Sequence, residues 1–132
     1  MNRFTSFLFA LLMAFVFTPD GMAKAKDFTV GKNTFLIGGK PIVIKAAEIH
    51  YPRIPREYWE HSMKMCKALG MNTVCIYIFW NIHEQKEGQF DFTGNNDIAA
   101  FCRLAQKNDL YVIVRPGPYV CAEWEMGGLP WW

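Results

Sequence analysis

Two unbroken apolar runs, residues 73–79 and 110–114, each follow a stretch whose apolar residues recur at helical spacing. That alternation constrains the fold more than any other feature of the chain. A strand that is apolar at every position is buried on both faces, and such strands belong to parallel sheets covered by helices. Ahead of the first run, residues 55–69 place Trp59, Met63, Cys66 and Leu69 on one helical face and Glu57, Glu60, Lys64 and Lys67 on the other. Pro55 suits the first helical position, and Gly70 suits the left-handed residue just past the end. Ahead of the second run, a helix from about Asn95-Asn96 to Lys107 carries Ile98, Phe101, Cys102 and Ala105 as its apolar stripe, with Asn108 as a left-handed terminator. Upstream, residues 28–30 and 34–37, the Gly38-Gly39 pair and a third run over residues 41–47 predict a β-hairpin leading into a longer strand. Within that strand Ile42-Val43-Ile44 reads as buried on both faces.

The order strand, helix, strand, helix, strand predicts parallel βαβ units and an α/β fold class. The helix-to-strand turns, at Gly70 and Asn108, are tight, whereas the segments that follow strands are long. Long loops at strand C-termini are the mark of a (β/α)8 TIM barrel, whose site lies on that face. Such a barrel takes on the order of 250 residues. A chain of 132 residues has room for only the first three β/α units, preceded by the hairpin.

Residues 1–23 are expected to lie outside the fold. Asn2-Arg3 is a short positive segment, residues 4–17 are apolar apart from Thr5 and Ser6, and residues 18–23 end in small side chains. That pattern is a secretory signal peptide, with cleavage after Ala23 or Ala25, and it predicts export to the periplasm or the outside of the cell. The apolar run is shorter than the roughly 20 residues a spanning helix needs, so no stable membrane anchor is expected. Residues 24–132 are the expected folded part. Its four cysteines, Cys66, Cys75, Cys102 and Cys121, contain no Cys-x-x-Cys. The first three read as small buried apolar residues, and Cys121 as a thiol able to pair. His50 and His83 lack ligand spacing and read as hydrogen-bonded scaffold groups, so no metal site is expected. With a net charge of +2 and no basic cluster interleaved with aromatics, no nucleic-acid partner is expected either.

The chemistry is concentrated in the three post-strand segments. They are Ala47-Glu48-Ile49-His50-Tyr51-Pro52-Arg53, then Tyr77-Ile78-Phe79-Trp80-Asn81-Ile82-His83-Glu84, then Arg115-Pro116-Gly117-Pro118-Tyr119-Val120-Cys121-Ala122-Glu123-Trp124-Glu125-Met126-Gly127-Gly128-Leu129-Pro130. Together they bring carboxylates at Glu48, Glu84, Glu123 and Glu125 near aromatic faces at Tyr77, Trp80, Tyr119 and Trp124. Carboxylates accept from sugar hydroxyls and aromatic rings cover the C–H faces of pyranoses, so the mixture suits a carbohydrate pocket. Glu123 either binds a substrate hydroxyl or holds its loop by accepting from backbone N–H groups. Tyr77 either contacts a ligand or has its hydroxyl satisfied by a neighbour. Glu125 reads as structural or rim-facing, Trp131 and Trp132 as packing or subsite aromatics, and Gly127-Gly128 as a tight backbone path.

These three segments resemble the family 35 glycoside hydrolases, the β-galactosidases, and the resemblance covers nearly all of the chain after residue 23. It implies a retaining exo-β-galactosidase built on a (β/α)8 barrel, with a β-galactoside as substrate and no cofactor. Tyr77 matches the family's galactose-contacting tyrosine, and Ala122 and Glu123 match its substrate-contacting pair; Trp80, Asn81, Glu84, Tyr119 and Trp124 are expected to line the pocket. The family's acid/base glutamate follows the fourth strand and its nucleophile the seventh. Neither position falls within these residues, so the expectation is an N-terminal fragment that is inactive alone and holds no catalytic residue. The alternative is a small stand-alone galactoside-binding protein using Tyr77, Trp80 and Glu123. The end of the chain at Trp132, inside a site loop, favours the fragment.

Overall fold

The computed structural model describes residues 26–132, so the expected signal peptide lies outside the described residues. Among those residues no helix is long and apolar enough to cross a membrane. The chain divides into two compact units, the second spanning Val43–Trp132.

In the first unit β1 (Phe28–Val30), β2 (Phe35–Ile37) and β3 (Lys40–Ile42) form an antiparallel three-stranded meander. Gly38 and Gly39, at φ +57° and +77°, make the two-residue turn between β2 and β3. Both positions need φ > 0 for the turn to match the strands' twist. The expected long strand over residues 41–47 is divided: β3 ends at Ile42, and β4 (Ala46–Glu48) belongs to the other sheet. Residues 43 and 44 pair in neither ladder, and Val43 is 73% exposed rather than buried on both faces. Pro41 has no N–H to donate, which suits the edge position of β3.

The second unit carries the parallel sheet. Strands β4, β5 (Thr73–Tyr77) and β6 (Tyr111–Arg115) lie in that order, with Ala46 opposite Thr73 and Tyr77 opposite Arg115. The crossovers are α1 (Trp59–Ala68), α2 (Trp80–His83, a single turn) and α3 (Ile98–Lys107). The core packs Trp59 and Met63 of α1 and Phe101 and Ala105 of α3 with Val74 and Ile76 of β5 and with Tyr51 and Phe79 from the strand ends. Central β5 is buried at every position but Cys75, which is half-buried, much as its apolar run predicts. Strand β6 departs from that expectation: Tyr111, Ile113 and Val114 are exposed. Among the described residues it pairs only with β5, so its outer edge and much of its surface face solvent.

The helix ends refine the expected boundaries. A 3-10 turn, Arg56–Tyr58, precedes α1, and Leu69 sits past its last helical residue as an exposed C-cap instead of completing the apolar face. The N-cap of α3 is Asp97, not Asn95 or Asn96. Those two amides staple loops instead, Asn95 donating to the Pro52 and Ile54 carbonyls and Asn96 to the Ile82 carbonyl and Asp91. The left-handed residue after α3 is Asp109, at φ +53°, while Asn108 turns its side chain back onto the Leu104 carbonyl.

Asp97 accepts from the Ala100 amide at 2.8 Å, and this bond, assisted by the nearby Arg56 charge, holds its carboxyl below the ordinary 3.8. A carboxyl depressed in the folded state contributes stability above its ordinary value and loses it as pH falls through the folded value. Asp97→Asn keeps a capping oxygen but removes the titration. It is expected to lower stability modestly at neutral pH, by the part the charge contributes, and to flatten the loss of stability below pH 3.8 in urea unfolding. An unaltered acid limb would show that the cap does not titrate as described.

Candidate functional site

The C-terminal ends of β4 and β6 are tied together by four charged or polar side chains in series. Arg115 donates to Glu48 Oε2 at 3.0 Å, and His50 bonds Glu48 Oε1 through Nε2 at 2.8 Å. Arg53 Nη1 lies 2.9 Å from His50 Nδ1, and Arg53 Nη2 donates to the carbonyls of Ala122 and Glu123 at 2.8 and 2.9 Å. A guanidinium only donates, so His50 Nδ1 accepts and its proton sits on Nε2. His50 is therefore a neutral imidazole, and its contact with Glu48 is a hydrogen bond. Tyr77, 4% exposed, lies beneath this series, with the Arg115 guanidinium 3.9 Å from its ring centroid. Its hydroxyl takes no hydrogen-bond partner among the described residues, whose fully buried side-chain polar atoms are all partnered.

The loop after β6 is held from below. Trp124 packs on Phe79 with ring centroids 4.3 Å apart, donates to Asn81 Oδ1 at 2.9 Å and carries the Arg53 guanidinium 4.8 Å from its ring centroid. Glu123 and Met126 adopt left-handed backbone at φ +45° and +51°. Each costs roughly 1–2 kcal/mol for a residue with a Cβ. Hydrogen bonds to a charged group contribute roughly 1.5–3 kcal/mol, so the two from Arg53 are enough to offset the Glu123 conformation. The paired glycines are required by contact as well as by angle. A Cβ on Gly127 would fall 2.1 Å from the Tyr119 ring, and one on Gly128 would fall 2.9 Å from Val120 Cγ2.

The Glu123 side chain is exposed and its carboxylate takes no partner among the described residues. It does not hold the loop; its backbone carbonyl does. The amides of Ala122 and Glu123 likewise donate to no backbone carbonyl among these residues. Glu123, Arg53, Asn81, Gln85, Trp124 and Trp131 face an open hollow of about 600 Å³.

The loop after β5 is differently built. Glu84 is buried and uses both carboxylate oxygens, one accepting from the Trp80 indole and the other from the Gly88 amide at 2.6 Å. His83 donates from Nδ1 to the Asp91 carbonyl at 2.9 Å and bonds the Tyr51 hydroxyl through Nε2 at 2.5 Å. Burial raises the Tyr51 hydroxyl far above its ordinary value, which keeps it protonated. A second hollow of about 440 Å³, largely apolar, lies against Trp80, Glu84, Phe90, Phe92 and Pro118.

The structure thus brings Glu123, Trp124 and Asn81 to one hollow and Trp80 and Glu84 to another. Tyr77 lines neither, Ala122 is buried, and Tyr119 is exposed with its ring against Gly127. Glu125 stands on the rim of the larger hollow. All four cysteines are free; Cys66 is buried, Cys75 and Cys102 are half-buried rather than buried, and Cys121 is exposed. Burial pushes the Cys66 and Cys102 thiols up, away from reactivity. Sequence reasoning assigned no role to Arg53 or Arg115. The available signal was that each is a fixed cation at a strand end rich in carboxylates.

The family model of glycosyl hydrolases family 35 matches residues 34–132. A β-galactosidase of Xanthomonas manihotis is 54% identical over 98 residues, covering 74% of this chain and 16% of its own length. A β-galactosidase of Canis lupus familiaris is 45% identical over 112 residues, covering 83% of this chain and 17% of its own length. The chain therefore spans about one sixth of the length of these curated relatives. In fold it is similar to the crystal structure of the β-galactosidase from the psychrophilic Marinomonas ef1, with a TM-score of 0.53 at 14% identity over 62% of this chain and 12% of that one.

Proposed function

The chain belongs to glycosyl hydrolases family 35, and from that premise we propose that it is the N-terminal part of a retaining β-galactosidase. Residues 24–132 form the N-terminal part of its catalytic (β/α)8 barrel, the first three β/α units preceded by the β-hairpin. Residues 1–23 direct its export to the periplasm or the outside of the cell. The substrate is a β-galactoside with galactose at its non-reducing end. The sugar is gripped by the Tyr77 hydroxyl, by the Ala122 segment and by the Glu123 carboxylate.

The observation that carries this reading is Glu123. Its backbone is held in a costly conformation by Arg53, and its carboxylate stands free in the loop after β6, facing an open hollow. Backbone strain upheld by its surroundings is concentrated at functional sites. A free carboxylate accepts two sugar hydroxyls, and the unpartnered Tyr77 hydroxyl adds a donor.

Retaining hydrolysis needs two further carboxyl groups about 5–5.5 Å apart, one protonating the leaving oxygen and one attacking the anomeric carbon. Those groups come from later strands of the barrel, so Glu123 and Glu125 are not that pair. The 132-residue chain alone is accordingly expected to release no nitrophenol from 4-nitrophenyl β-galactoside above the blank, while the intact enzyme turns it over. Turnover by the pure chain, or none by the intact enzyme, would overturn the proposal.

A further inference from the structure

We infer that Arg53 is a positioning residue that sets the sugar-binding pose of Glu123, with His50 and Glu48 holding Arg53 in place. The inference rests on the reading of Glu123 as a galactose-binding group. One terminal nitrogen, Nη2, donates to both the Ala122 and the Glu123 carbonyl, and the other, Nη1, donates to His50. The planar fork is thus used on three acceptors at once, a geometry that the point charge of a lysine ammonium does not reproduce. The Glu123 carbonyl is one of those acceptors, so the bond acts directly on the peptide unit next to the left-handed φ of +45°. The same guanidinium lies against Trp124, which fixes the chain one residue further on.

Behind Arg53 the series continues into Tyr77. His50 must present a bare Nδ1 to Arg53, and it does so because its Nε2 proton is engaged by Glu48. Glu48 is in turn engaged by Arg115, the side chain that covers the Tyr77 ring. The proposed sugar contacts Tyr77 and Glu123 therefore sit at the two ends of one series of contacts, hydrogen-bonded from Arg115 to the Glu123 carbonyl and closed at Tyr77 by the Arg115 guanidinium over its ring. Arg53 never needs to touch the sugar; it acts through the loop.

A mutant cycle in the intact enzyme tests this. Arg53→Lys is expected to lower kcat/KM and to raise the inhibition constant for free galactose, each about tenfold, the scale of one charged hydrogen bond. In an enzyme already carrying Glu123→Gln, adding Arg53→Lys is expected to change either value by less than about twofold, because neighbouring residues acting through one contact do not add. Full additivity would overturn the inference while leaving the reading of Glu123 intact. If Glu123→Gln alone leaves galactose inhibition unchanged, the reading of Glu123 fails and the inference falls with it. Arg53→Met, which keeps the stem and removes all donors, is the second variant. Failure of both Arg53 variants to fold would make Arg53 a folding residue and would also overturn the inference.

Discussion

Replacing Trp59 with alanine is expected to remove about 3–5 kcal/mol of folding stability. The indole is 1% exposed at the first turn of α1. It meets Phe101 of α3 edge-on with centroids 5.2 Å apart and Tyr51 at 6.4 Å, so it joins both main crossover helices to the end of β4. Its N–H also donates to the Tyr51 and Ile54 carbonyls at 3.1 and 3.0 Å. Against a typical total of about 5–15 kcal/mol for a domain, the alanine variant would be near the limit of folding. Trp59→Phe separates the two contributions. It keeps most of the aromatic contact, and the two carbonyls keep other donors in the Ile54 amide and the Asn95 side chain. Its cost is therefore expected near the ordinary value of a hydrogen bond, about 1 kcal/mol. Urea unfolding followed by far-UV circular dichroism reads both. An alanine variant within about 1 kcal/mol of the parent would refute the packing account.

Glu123→Gln in the intact enzyme is expected to lower kcat/KM on a β-galactoside by roughly 10- to 150-fold, the equivalent of about 1.5–3 kcal/mol for a charged hydrogen bond. The amide keeps the size and one acceptor but loses the charge and the second acceptor. The split between constants identifies what the carboxylate does. A rise in KM with kcat unchanged marks a grip that is equal in ground and transition states, whereas an equal fall in kcat and kcat/KM marks one made only in the transition state. Thermal stability is expected to stay level or rise slightly, because the carboxylate supports nothing else among the described residues. A variant within twofold of the parent in kcat/KM would remove Glu123 from the site.

The parallel arrangement was legible because local signals agreed: Gly70 ends a helix and adopts φ +81°, and β5 is buried as its uniform apolarity demands. The errors arose where apolarity was taken as proof of burial. Val43 and Leu69 are apolar but lie outside the ladder and past the last helical residue, so the periodicity that would bury them does not reach them. Helix capping depended on which of Asn95, Asn96 and Asp97 faced the free amides. All three are good caps, and only the packing of the preceding loop decides among them. At the site, the carboxylates and aromatics could be read as a set, but their division between two hollows could not. Glu84 and Glu123 have the same chemistry in the sequence; one is consumed by the Trp80 indole and the Gly88 amide, and the other is free. Arg53 shows the same limit, because its acceptors are main-chain carbonyls at positions 122 and 123, about 70 residues away.

The spatial order of the parallel strands, β4 then β5 then β6, is also their order along the chain. No strand has to be inserted between two that are already paired. During synthesis, which proceeds from the N-terminus at about 5–20 residues per second, each strand therefore emerges with its partner already made. The sheet can grow by one βα step at a time, each new step covering the edge left by the last. The vectorial character of translation and the topology of this sheet run in the same direction, so the nascent chain has no need to undo early pairings to reach the final register.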